Sequence, residues 1–259
     1  MRERLGSEYW REDTRVFFGS QRVPTHTPPS FRFLGGSWAR DEDSIFVAGR
    51  PLKAADPDSF RVLNQLFALD KVSAWFLGGR VREADPATFE VLDLGVRYSG
   101  PGAYPYSFSG YARDARSVFH YDLTVGKPCL VRGANNQAFQ SINGVFGRDG
   151  SAIFIDRRRL NYADAATWLP LGGLYSRDSH FAYYDNRRII GADPDSLICL
   201  PGRQPVWAKD DRRFYDIGAP SSREAYLEEL ALAIESHRRL VLRISGDEVA
   251  CQIRRIWPA

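Results

Sequence analysis

The chain has 259 residues, 44% of them hydrophobic and 13% aromatic, with 35 Lys and Arg against 32 Asp and Glu for a net charge of +3. That length can bury a substantial core, and the near balance of charges, despite a pI near 8.8, gives no reason to expect a nucleic-acid partner. Fifteen Pro and 22 Gly against a single Met favour short strands and many turns over long helices, so an all-β body is expected.

The first ten residues, MRERLGSEYW, contain no apolar stretch of the signal-peptide kind, and no later run is long and uncharged enough to span a membrane. A cytoplasmic location is therefore expected. Three cysteines (Cys129, Cys199, Cys251), odd in number and without Cys-x-x-Cys spacing, predict buried reduced thiols rather than disulfides or a zinc site.

From Trp10 onward one phrase recurs seven times: an aromatic residue, an Asp three positions later, and another aromatic five positions after that. The aspartates are Asp13, Asp41, Asp70, Asp114, Asp149, Asp178 and Asp210, separated by 28, 29, 44, 35, 29 and 32 residues. Phasing of this kind marks an array of repeats. The two aromatics are symmetric about a point one residue past the Asp, which predicts a hairpin centred there. The rings would face each other across it, each such pair contributing about 0.2 to 1 kcal/mol. The Asp itself is expected to hold the reversal by accepting a bond from the backbone two residues on.

A second reversal follows at Gly49, Gly78-Gly79 and Asp185-Asn186, leading into a third short strand. That strand ends at a second signature, seen as AADPDSF (Ala54 to Phe60), EADPATF (Glu83 to Phe89), GADPDSL (Gly191 to Leu197) and, degenerate, YADAATW (Tyr162 to Trp168). Its Asp lies 15 residues after the first in all four copies. Asp before Pro suits the start of a helical turn, with the aromatic or Leu four residues on as a core plug. The expected fold is tandem antiparallel hairpin or three-strand repeats, about seven of them, packed as a propeller-like ring or an open β-solenoid.

Two insertions interrupt the array: Leu94 to Gly110, reading LGVRYSGPGAYPYSFSG, and the region from Asp122 to Asn143. Insertions in repeat proteins map to loops on one face, often the binding face. The first carries Tyr98, Tyr104, Tyr106 and Phe108, and Tyr in Gly/Ser-rich loops supplies contact area at low entropy cost. Together with Asp122, Arg132, Asn135 and Asn136 from the second, these are the candidate protein-binding residues. The alternative is that the rings cap an edge of the array.

After Pro220 the texture changes. Ser221 and Glu224 read as a capping box, and Leu227, Leu230, Ala231 and Ile234 as one helical face reaching about His237. Leu240 to Ile244 and Val249 to Trp257 read as strands. A repeat domain over 1–219 and a helix-hairpin cap over 220–259 are expected.

No nucleophile elbow, zinc-protease helix, P-loop or dinucleotide fingerprint is present, and the four histidines (His26, His120, His180, His237) sit at unrelated points of the repeat. No catalytic residue, metal or cofactor is expected. Calcium would need more carboxylates than each turn offers, and Arg or Lys precedes the Asp at 40, 113, 148, 177 and 209. The Arg157, Arg158, Arg159 run reads as a solvated strand face rather than a phosphate site.

The phrases YSRDSHFAYYDNRRIIGADPDSL (Tyr175 to Leu197) and WARDEDSIFVAGRPLKAADPDSF (Trp38 to Phe60) resemble the repeat of the DKNYY family of bacterial proteins, in which a Lys/Arg-Asp turn is followed by a Tyr-Tyr strand and an Ala-Asp-Pro turn. The resemblance spans about residues 9 to 217 and implies no established activity or catalytic residues. The functional expectation is a non-enzymatic protein binder, an immunity-type inhibitor of a bacterial toxin. The alternative is a glycan or cell-envelope binding module, which would need many of the phased rings exposed. A third possibility, an enzyme of unrecognised type, would need a deep pocket gathering residues such as His120, Asp122 and Arg132.

Overall fold

A carboxylate placed at the start of a reversal can satisfy amides that the turn leaves without partners. In the computed structural model, which describes residues 2–98, 105–200 and 207–243, six of the seven phrase aspartates do this in the same way. Asp70 Oδ1 accepts the amides of Val72 and Ser73 at 2.8 and 2.7 Å, and the Asp70 amide donates to the Ser73 carbonyl at 3.0 Å. Asp41, Asp114, Asp149, Asp178 and Asp210 repeat the pair of bonds. The result is a four-residue loop, closed in the second sheet by the pair Arg40 and Ile45.

That loop length shifts the register from the expected one. Trp38 lies opposite Val47 and Phe46 opposite Ala39; likewise Phe67 opposite Phe76 and Trp75 opposite Ala68. The two rings of a phrase therefore do not face each other. Side chains alternate with period two, so they project from opposite faces of the hairpin. The first phrase differs again: its loop has two residues, and Trp10 pairs with Phe17, stacked at 4.1 Å.

Each repeat closes as a four-stranded antiparallel sheet rather than three strands. The second sheet runs Arg32–Gly35, Trp38–Arg40, Ile45–Val47, Arg50–Pro51, and the third runs Arg61–Val62, Phe67–Leu69, Ala74–Phe76, Gly79–Arg80. The extra strand is the two-residue segment after the Ala-Asp-Pro signature, which pairs with the following hairpin: Val62 with Ala68, Arg61 with Leu69. Strands this short are how four fit in about one repeat. Among the described residues there are seven such sheets, with 39% strand and 7% helix and no closed barrel, so the body is all-β.

The described residues divide into two compact units between Ala166 and Thr167. In the first unit, consecutive sheets pack face to face. Tyr9 and Val16 of the first sheet meet Ala39 and Phe46 of the second. Trp38 and Val47, on the other face of the second, meet Ala68 and Trp75 of the third. Phe67 and Phe76 then meet Ala112 and Phe119, and Tyr111 meets Phe154. The second unit repeats this, with Tyr175 and Tyr184 against Ala208 and Tyr215. From the second sheet on, the hairpin residue two before the Asp is small and buried (Ala39, Ala68, Ala112, Gly147, Ser176, Ala208); at Gly147 the Phe139 ring occupies the space that a Cβ would take.

The C-terminal element is a helix, Arg223–Arg243. Its cap is Ser222, whose Oγ accepts the Ala225 amide at 3.1 Å, while Ser221 ends the last strand. Tyr226 is the buried contact, against Trp207 at 5.6 Å and Phe214 at 5.9 Å, while Leu227 and Ile234 are exposed. Leu240 to Arg243, expected as a strand, continue the helix; Ile244 and the strand expected over Val249 to Trp257 lie outside the described residues. Cys129 and Cys199 are free thiols of intermediate burial rather than fully buried, and Cys251 lies outside the described residues.

Candidate protein-binding surface

The repeated chemistry is spent inside the fold. In four of the turn aspartates the second oxygen reaches across to the second-signature turn before it: the amides of Asp56, Asp85, Asn135 and Asp193 donate to Oδ2 of Asp70, Asp114, Asp149 and Asp210 at 2.9, 2.8, 2.9 and 3.0 Å. A hydroxyl doubles three of these four seams, Thr88 among them; the Asn135 seam has Ala138 at that position. Ser59 Oγ donates to Asp56 at 2.6 Å and accepts the Lys71 amide at 3.0 Å; Ser196 bridges Asp193 to the Asp211 amide in the same manner. The signature therefore forms a tight turn rather than a helix, with Thr88 N–H to the Asp85 carbonyl at 3.2 Å.

Where the ring five residues after the Asp has a polar edge, it too donates to Oδ2: Trp75 Nε1 at 2.8 Å, and the Tyr183 and Tyr215 hydroxyls at 2.7 Å. Burial works against ionisation of Asp210, but the amides of Asp193, Arg212 and Arg213 and the Tyr215 hydroxyl outweigh it and hold the carboxyl below the usual range. Asp149 is lowered for the same reasons, through Asn135, Ser151 and Ala152. Carboxylates saturated by N–H and O–H donors have no lone pairs left for a cation, and among the described residues no three His, Cys, Asp or Glu side chains gather as metal ligands.

The two insertions come together on one hairpin. In the fourth sheet the central strands, Ser109–Arg113 and Val118–Asp122, have five residues instead of three and pair Ser109 with Asp122. Leu123 N–H then donates to the Phe108 carbonyl at 3.2 Å, joining the end of the first insertion to the start of the second. Asp122, buried, accepts the Thr124 amide at 2.7 Å and the Thr124 hydroxyl, and its carbonyl accepts the amides of Val125 and Gly126. Phe108 packs against the core. Among the described residues of the insertions, Leu94, Leu123 and Val125 are left in solvent, at 68, 54 and 37% exposure.

The other candidates are placed as follows. Tyr98 and Tyr106 lie in a separate two-stranded ribbon, Arg97–Tyr98 with Pro105–Ser107, located by their backbone alone; Tyr104 lies outside the described residues. Arg132 is exposed. Asn135 and Asn136 belong to a seam: Asn135 Oδ1 accepts the Gln137 amide, and Asn136 Nδ2 donates to the Asp114 carbonyl at 3.1 Å. They form a further copy of the second signature, Gly133-Ala134-Asn135-Asn136-Gln137-Ala138-Phe139. It was hidden because Asn replaces Asp and the insertion breaks the spacing from Asp114. Counting back 14 residues from the following turn aspartate finds it, since Asp56 precedes Asp70 by the same interval.

One cluster resembles hydrolase chemistry. Ser109 Oγ lies 3.1 Å and Asp156 Oδ1 3.7 Å from His120, but both approach the same ring nitrogen, Nε2, and the Ser109 hydroxyl donates to the Gly144 carbonyl at 2.6 Å. A relay needs Ser and Asp on opposite nitrogens of the imidazole. His120 is 3% exposed, beneath Tyr111. A cavity of about 520 Å³ lies beside Arg113, Gln137 and Phe139, but the Arg113 guanidinium is committed to Glu90 and the Asn136 carbonyl.

A family model, that of the DKNYY family, matches residues 38–187. The chain belongs to that family. The match begins at the Trp38 ring of the second sheet and ends in the fourth strand of the sixth, Arg187–Arg188, so the matched region spans both insertions. Neither a curated protein nor a solved structure matches the chain. Among the described residues, no helix is long and apolar enough to cross a membrane.

Proposed function

We propose that this DKNYY protein is a non-enzymatic binder of another protein, an immunity-type inhibitor acting on a bacterial toxin in the cytoplasm, and that it binds through the joined insertions of the fourth sheet. The observation that carries this reading is the Phe108–Leu123 backbone bond. It sets the two places where the array is interrupted side by side, with Leu123 and Val125 in solvent on the turn that follows. Exposed apolar residues on a turn held rigid by Asp122 and Thr124 suit a protein contact better than a sugar ring.

The burial of twelve of the fourteen phased aromatics supports the same choice over glycan stacking. Of the other two, Trp10 is stacked on Phe17 and carries the Arg2 guanidinium at 4.1 Å, and Phe18 packs edge-on against Tyr9. Co-expression with the product of the adjacent reading frame tests the reading. The full chain is expected to rescue growth and co-purify with that product, and a Leu123→Ser, Val125→Ser variant to do neither. Failure of the wild-type chain to capture any protein or rescue growth would overturn it.

A further inference from the structure

The strand order places the fourth strand of every sheet at an open edge. In the first unit these edges belong to sheets that pack face to face through equivalent faces, so they lie along one flank. The flank is basic. Residues 21–25, 50–54, 79–83, 127–133 and 156–161 hold ten Lys and Arg against two carboxylates, Glu83 and Asp156, in a chain whose totals are 35 and 32. Each sheet contributes at least one exposed arginine there: Arg22, Arg50, Arg82, Arg132 and Arg159. Among the described residues none of these five makes an ion pair or a side-chain hydrogen bond, although other arginines do.

We propose that this arginine-bearing flank of the first five sheets is a second interaction surface, which docks an acidic face of a protein partner. The class of partner rests on the protein-binding reading above; the surface does not. Eight of the ten cations are Arg, whose planar fork meets carboxylates two bonds at a time and is enriched at protein interfaces, whereas Lys is not. A nucleic acid is disfavoured because the rings that would stack bases are buried and the net charge is only +3. The competing role for edge arginines is to keep exposed strands from pairing with other molecules.

The test replaces one arginine per sheet in the full chain, as Arg22→Gln, Arg50→Gln, Arg82→Gln, Arg132→Gln and Arg159→Gln. Binding of a fluorescein-labelled poly-glutamate peptide, and of a single-stranded oligonucleotide of equal charge, is followed by anisotropy across a salt series. The wild-type chain is expected to bind the peptide in preference and to lose affinity with salt. The variant should bind about tenfold more weakly while keeping the oligomeric state and Tm of the wild-type chain. Equal binding by the variant overturns the proposal, as does preference for the oligonucleotide. A variant that oligomerises yet keeps its peptide affinity shows edge protection instead, and also overturns it. Because the insertion variant Leu123→Ser, Val125→Ser leaves the flank intact, its loss of the partner with retained peptide binding would separate failure of one reading from failure of the other.

Discussion

The Tyr215 hydroxyl donates to Asp210 Oδ2 at 2.7 Å, five residues back along the chain, and so ties a buried ring to the turn carboxylate of its own hairpin. Tyr183 and Trp75 hold Asp178 and Asp70 identically. Tyr215→Phe keeps the ring in place and removes one donor from a buried carboxylate. The expected loss is about 1.5 to 3 kcal/mol, the usual worth of a hydrogen bond to a charged group, read as a lower unfolding midpoint in denaturant.

Asp70 receives four donors: the amides of Val72, Ser73 and Asp56, and Trp75 Nε1. In Asp70→Asn the side-chain NH₂ would face two of them. We expect a loss of about 3 kcal/mol or more from the unsatisfied buried donors, measured by the same titration; a near-neutral result would mean that the seam is not a stability element.

Gly147 lies two before Asp149, where an added Cβ would come within 2.3 Å of the Phe139 ring. Phe139 is the plug of its seam turn, buried to 2% exposure. Gly147→Ala should therefore cost about 1 to 3 kcal/mol through overpacking. Restoring the room with Phe139→Leu in the same chain should recover part of it, as a thermal melt of the double variant would show.

The residue opening each Ala-Asp-Pro turn is left-handed: Gly133 and Gly191, but also Ala54, Glu83 and Tyr162, at φ of 65, 66 and 68°. Side chains there carry a cost of about 1 kcal/mol that Gly lacks, less what Gly forfeits in the unfolded chain. Glu83→Gly, at an exposed site, is expected to raise the unfolding midpoint slightly, in contrast to most substitutions; a drop would show that Glu83 has a stabilising contact.

Asp149 and Asp210 titrate below the ordinary carboxylate range because their bonds to amides and hydroxyls outweigh burial. A folded-state pKa below the unfolded one contributes stability above about pH 4, the unfolded value, and loses it as pH falls through the folded value. Thermal melts from neutral pH downward should show Tm falling from about pH 4, with a shallower fall in Asp210→Asn; equal slopes would remove Asp210 from the acid transition.

The all-β repeat, the turn role of the aspartates and the second reversals were legible because each rests on local chemistry within a few residues. The hairpin register was not, since a symmetric pair of aromatics does not report loop length. Oδ1 of the Asp spans two amides and so enforces a four-residue loop. The corrective signal stood next to the ring, in the small buried residue at Ala39, Ala68, Ala112, Gly147, Ser176 and Ala208, which marks the face opposite that ring as one packed at close range. The seam was illegible for a different reason: its donors are backbone amides, which carry no sequence mark beyond the Asp and Ser that hold the turn. The joining of the insertions depended on a pairing between Ser109 and Asp122, outside either repeated phrase. The docking of the helix was not legible either: it is anchored by the Tyr226 ring on Trp207 and Phe214, which leaves Leu227 outward.

The seam also sets an order in time. On the ribosome, the Asp56 amide emerges 14 residues before Asp70, the carboxylate that receives it, so a newly made sheet is incomplete until its successor arrives. Growth is directional, each hairpin sealing the one before, and a nascent chain stopped between the two signatures should remain open to protease at its newest turn while its earlier turns are already protected.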